Sequence, residues 1–168
     1  MDNPMYRIAI ASGALLGFGG VAAGAFGAHG LEGHLPADAL ATWELAARYQ
    51  LVHAAVLVGV GLLIDRSDRA AGNRGSRRGH TALRIAAIAL IAGVVVFSGS
   101  LYVLAATGIG WLGAITPIGG TALLVGWAAL AVGVWRGGVR RSGQFTFQGG
   151  GVTLWSWRCS RATAWCCG

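Results

Sequence analysis

Charge is scarce in this chain. Only 11% of its 168 residues are Asp, Glu, Lys or Arg, and lysine is absent altogether. Soluble domains carry about 25% charged residues, so this composition excludes an ordinary water-soluble enzyme domain. Cysteine is equally thin: Cys159, Cys166 and Cys167 are the whole set, an odd number with no disulfide-framework logic. Alternating strand patterning is missing too, which leaves helices as the way to bury backbone polar groups in a membrane. What remains is apolar. Hydrophobic residues make up 55%, mean hydropathy is +0.61, and 29 glycines occur without a collagen-like period. A disordered chain is excluded as well, and an integral membrane protein is indicated.

A spanning helix needs roughly 20 mostly apolar residues, and four segments qualify. They cover about 8–28, 46–64, 83–105 and 111–135. The second is the most polar, with Arg48, Gln50 and His53 in its first half. The fourth is uncharged, and its terminal Trp111 and Trp135 suit the two interfaces. The first is read as a retained helix, because its apolar run exceeds the usual 7–15 residues of a signal-peptide core. The expected fold is an all-α, integral membrane four-helix bundle occupying residues 1–141.

Arginine placement sets the orientation. Arg66, Arg69, Arg74, Arg77 and Arg78 crowd the connection between spans two and three, while Arg136, Arg140 and Arg141 follow span four. Acidic Glu32, Asp38 and Glu44 lie in the connection between spans one and two, and Ala106–Gly110 carries no charge. Positive-inside counting gives both termini in the cytoplasm, an N-in/C-in topology. Topology thus accounts for the net charge of +7, and no nucleic-acid partner is expected.

Span one carries Gly13, Gly17, Gly20, Gly24 and Gly27 at spacings of 4, 3, 4 and 3, one stripe on a helix. Small-xxx-small spacing lets another backbone approach closely. Packing within the bundle is the expected use, with a homo-oligomer or another membrane protein as the alternative partner. Between spans one and two, Leu35-Pro36 marks a turn. Ala37–Ala47 then reads as a short helix along the outer surface, with Trp43 as an interfacial anchor and Glu44–Arg48 as an exposed ion pair.

Combined with depth, this topology concentrates polarity in one leaflet. His29 ends span one; Tyr49, Gln50 and His53 enter span two; Ser98, Ser100 and Tyr102 sit in the outer half of span three; Thr116 and Pro117 open span four. His53 lies about 3 Å from the middle of its span and Ser98 about 6 Å. Tyr49 and His53 share a helix face at i, i+4, as do Ser98 and Tyr102. Polar groups at such depth face the bundle and bond one another. The candidate site is therefore a cluster of His29, Tyr49, Gln50, His53, Ser98, Ser100, Tyr102 and Thr116. Two uses are open: a polar pocket opening outward with His29 at its rim, or interhelical hydrogen bonds that fix the packing.

Chemistry-bearing motifs are few. There is no HExxH, no paired CxxC, no GxSxG at Ser98-Gly99-Ser100 and no phosphate loop at Gly19-Gly20. No span holds an Asp or Glu, which argues against a proton pump. No cofactor, metal ligand or catalytic residue is assigned.

The blocks Gly24-Ala-Phe-Gly-Ala-His-Gly-Leu31, Tyr49-Gln50 with His53, Phe97-Ser-Gly-Ser-Leu-Tyr102, Ile115-Thr-Pro-Ile-Gly-Gly120 and Gly126-Trp127 carry a resemblance. Over roughly residues 5–135 the chain resembles the domain-of-unknown-function family 423, also catalogued as uncharacterised protein family 0382, of small bacterial inner-membrane proteins. The resemblance implies a four-span fold and an inner-membrane location, and no activity. Two departures stand out. The arginine-rich connection 65–79 is long, and the tail 142–168 is atypical, reading as a frameshifted end or a poorly ordered segment. The expected function is non-enzymatic, with a structural, assembly or lipid-associated role. The alternatives are a small transporter or channel using the polar cluster, and an enzyme with His53 or His29 as acid/base.

Overall fold

A computed structural model describes residues 4–71 and 77–137. The tail expectation for 142–168, and Arg74, Arg140 and Arg141, lie outside the described residues. Four long helices follow in order: α1 (Pro4–Phe26), α2 (Ala37–Ala71), α3 (Arg77–Thr107) and α4 (Thr116–Gly137). Each is long and apolar enough to cross a membrane. They pack in chain order, α1 on α2, α2 on α3 and α3 on α4, so α2 and α3 form the centre and α1 and α4 the flanks.

Two connections differ from expectation. Residues 37–47 do not lie along a surface; they continue the axis of α2, which runs unbroken from Ala37. Pro36 precedes the first turn, where its missing N–H costs nothing, and nothing after it breaks the helix. Glu44 and Arg48 are both exposed, and carboxylate pairing is found instead in the Asp65–Arg69 ion pair (2.9 Å) and the Asp68–His80 hydrogen bond. The second ties the end of α2 to the start of α3. At the other hairpin, Gly108 (φ +69°) closes α3, its N–H reaching Leu104 O at 2.8 Å. A 3₁₀ turn, Gly110–Ala114, holds Trp111, so the fourth helix begins at Thr116 and not at 111. Pro117 suits that first turn.

Close packing follows a seven-residue repeat on both flanking helices. A Cβ on Gly13 would meet Ala54 O and Val58, one on Gly20 would meet Leu51, and one on Gly27 would meet Trp43. On α4, Gly119, Gly126 and Gly133 face Phe97, Leu90 and Leu83 of α3 in the same way. Seven-residue spacing keeps these glycines on one seam of a slightly supercoiled pair. Gly17 makes an ordinary contact with Ala54 Cβ at 3.7 Å, whereas Gly24 has open space beside it. Within this chain, then, four of the five stripe glycines border α2 and Gly24 leaves room for a side chain.

The apolar core occupies the half of the molecule nearer the termini. Leu57, Val60 and Ile64 of α2 meet Leu83, Ala87, Leu90 and Val94 of α3, with Ala9 and Leu123 from the flanks. Outward faces carry Leu15, Phe18, Leu62, Ile88 and Leu124, an apolar coat suited to acyl chains.

Gly119→Ala and Gly24→Ala separate these two kinds of glycine. A Cβ at 119 would lie 2.5 Å from Phe97 N and 2.8 Å from its Cα, backbone that cannot swing aside. Overpacking of this kind costs about 1–3 kcal/mol. Gly24→Ala is expected to be neutral or slightly stabilising, within about 0.5 kcal/mol. Thermal or denaturant unfolding in detergent reads the difference.

Candidate functional site

In the half of the molecule away from the termini, polar side chains bridge neighbouring helices. Gln50 of α2 lies at the hub. Its Nε2 donates to Leu16 O of α1 (2.8 Å), and its Oε1 accepts from the Tyr102 hydroxyl of α3 (3.0 Å). Donor and acceptor demands fix the amide orientation, since a flip would set oxygen against the Leu16 carbonyl. Gly19 makes the reach feasible, because a Cβ there would stand 3.1 Å from Gln50 Nε2. Ser98 Oγ of α3 donates to Ala46 O of α2 at 3.0 Å. Ser100 and Thr116 share a 3.0 Å hydrogen bond that joins α3 to α4.

His53 is 6% exposed, at the midpoint of the span Ala37–Arg69. Its Nδ1 lies 2.7 Å from Tyr49 O, which can only accept, so Nδ1 carries the proton. Its Nε2 accepts from the Trp127 indole N–H of α4 at 3.2 Å. One tautomer satisfies both ring nitrogens, and α4 is thereby tied to α2. Tyr49 stacks on His53 (5.9 Å between centroids) and contacts Phe97 (4.7 Å). At 40% exposure its ring lies on the rim and its hydroxyl takes no part in these bonds. His29 stands exposed on a π turn, Gly27–Leu31, apart from the bonded group.

Two tryptophans complete the arrangement. Trp43 fills the space beside Gly27, donates its indole N–H to Ala23 O (2.8 Å) and packs on Tyr102 (4.6 Å). It therefore locks α1 to α2 and does more than anchor at an interface. Trp127 is a lone indole deep in a span. An indole N–H at such depth requires an acceptor, a signal in the sequence that the reading of polar residues passed over.

Six of the eight proposed cluster residues thus come together: Gln50, His53, Ser98, Ser100, Tyr102 and Thr116. Tyr49 borders them and His29 does not join. Among the described residues, the one buried side-chain polar atom without a partner is Arg84 Nε, on α3 near its start and remote in sequence from this cluster. The arrangement can hold helices in register. It presents no adjacent nucleophile–base pair, because the imidazole's two nitrogens are both occupied.

Gln50→Ala should cost about 1–3 kcal/mol by stranding the Tyr102 hydroxyl and removing the bond to Leu16 O. Paired with Tyr102→Phe in a double-mutant cycle, it should show a coupling of about 0.6–1.5 kcal/mol, the range of membrane interhelical hydrogen bonds. Strictly additive losses in detergent unfolding would contradict the bond.

Comparison with known proteins agrees with a membrane fold. The chain is 40% identical over 132 residues to a UPF0382 membrane protein of Staphylococcus saprophyticus, covering 77% of this chain and 98% of that protein. The UPF0382 membrane protein YwdK of Bacillus subtilis is 39% identical over 75% of this chain and 94% of its own length. A UPF0382 membrane protein of Haemophilus influenzae is 39% identical over 71% of this chain and 87% of its own length. No solved structure matches. The family model described as protein of unknown function DUF423 matches residues 23–120, a stretch that contains Gln50, His53, Ser98, Ser100, Tyr102 and Thr116, and the chain belongs to that family.

Proposed function

We propose that this membrane protein is a non-enzymatic component of the bacterial inner membrane, with a structural, assembly or lipid-associated role. The observation that carries the reading is the closure of the polar cluster. Leu16, Ala23 and Ala46 carbonyls, Gln50, His53, Ser98, Tyr102 and the two indoles are spent on one another. A transport site needs polar groups left over for its cargo, and a catalytic site needs a side chain free to move a proton. In the bonded group the described side chains are committed to neighbouring helices instead. The arginine-rich terminal end supports an N-in/C-in orientation, which puts the bonded cluster in the outer leaflet and the apolar core in the inner one. The working surfaces are then the lipid-facing flanks, where large apolar side chains such as Leu15, Phe18 and Leu124 are exposed.

Reconstitution tests this directly. Vesicles containing the purified chain are expected to pass protons, potassium and glycerol no faster than protein-free vesicles. Protein-dependent flux that is abolished by His53→Ala, with the variant still folded, would establish a conduction path instead.

A further inference from the structure

On the terminal half of the molecule, the outer face between α3 and α4 holds a groove of about 670 Å³, open along one side. It is shallow and wide open, lined by the short Ala82, Ala128 and Ala129 beside Ile85, Val125 and Val132, with Thr81 as a polar neighbour. Arg136 stands at the mouth, the last basic side chain of α4 and exposed. From Val125 to Arg136 the helix rises about 16 Å. That is close to half of the roughly 30 Å hydrocarbon core, so the groove has the length of one leaflet.

We propose that this groove binds an anionic phospholipid, with an acyl chain along the alanines and the headgroup phosphate on Arg136. The inference rests on the lipid-associated reading above and names the lipid class. An apolar trough in a lipid-facing surface is filled by a chain of the surrounding bilayer. A guanidinium at the interface offers a planar pair of donors matched to phosphate oxygens. Charge selects the lipid: Arg7, Arg66, Arg69, Arg84 and Arg136 gather at this end against Asp65 and Asp68, so a lipid of net negative charge is favoured over a zwitterionic one. Of these, Arg136 is the one that lines the groove, and one arginine at a membrane surface contributes about fivefold toward that preference.

The test uses the full-length chain in vesicles or nanodiscs of phosphatidylcholine doped with phosphatidylglycerol of the same acyl chains, with retained lipid counted by native mass spectrometry. The unmodified chain should retain phosphatidylglycerol about fivefold over phosphatidylcholine. Arg136→Gln should bring the ratio to about one while lipid is still retained. Ala128→Leu, a change on an exposed face that leaves the core alone, should fill the trough and lower retention of both lipids. Equal retention by the unmodified chain, a preference that survives Arg136→Gln, or unchanged retention in Ala128→Leu would each overturn the site. The flux measurement made on the same vesicles keeps the two ideas apart. No flux and no lipid preference would refute the groove alone, whereas protein-dependent flux would refute the reading on which it rests.

Discussion

Close approach of helix backbones is the constraint on which this structure depends. In a bilayer the lipid tails are as apolar as leucine, so helices gain little by hiding side chains from their surroundings. Association must come from dense packing and from hydrogen bonds between segments. Gly13, Gly20 and Gly27 on one flank, and Gly119, Gly126 and Gly133 on the other, remove the side chain where the central helices press hardest. The large residues that fill those spaces, Leu51 and Trp43 on α2 and Phe97, Leu90 and Leu83 on α3, come from the buried pair. The exchange also runs the other way, since Gly61 of α2 makes room for Ile10 of α1 and Gly93 of α3 for Leu123 of α4.

Hydrogen bonds divide the labour with packing along the membrane normal. The terminal half relies on Leu57, Ile64, Leu90 and their neighbours. The other half inserts Gln50, His53, Ser98 and Tyr102 between helices. A buried polar group costs little when every donor meets an acceptor and costs much when one is left over. Gln50 pairs both its amide nitrogen and its amide oxygen by spanning three helices. His53 meets that condition by adopting the one tautomer that serves both Tyr49 O and the Trp127 indole.

Much of this was visible in the residues themselves. Span count follows from long uncharged runs, and the cluster follows from the depth of Tyr49, His53, Ser98 and Tyr102 on predicted helices. Other features depend on pairing between helices, which no single segment encodes. Gly24 shares the spacing of its neighbours, yet a Cβ there would meet nothing within 4 Å. Residues 37–47 carry enough charge to read as a surface helix, and they nonetheless extend α2 because nothing in them interrupts the backbone ladder. Trp43 and Trp127 look like interface anchors or lipid-facing bulk until their N–H groups are matched to Ala23 O and His53. The alanine lining of the α3–α4 groove likewise emerges only when two helices are laid side by side.

The central claim is that the polar half is closed upon itself and dry. Nitrogen-15 spectroscopy of the full chain, with labelled histidine and tryptophan in micelles or nanodiscs, tests it most directly. The account predicts that His53 holds the Nδ1–H tautomer with Nε2 as a hydrogen-bonded acceptor, and that the Trp43 and Trp127 indole protons exchange slowly with water. An Nε2–H tautomer, or fast exchange at both indoles, would mean a hydrated pocket and would contradict it.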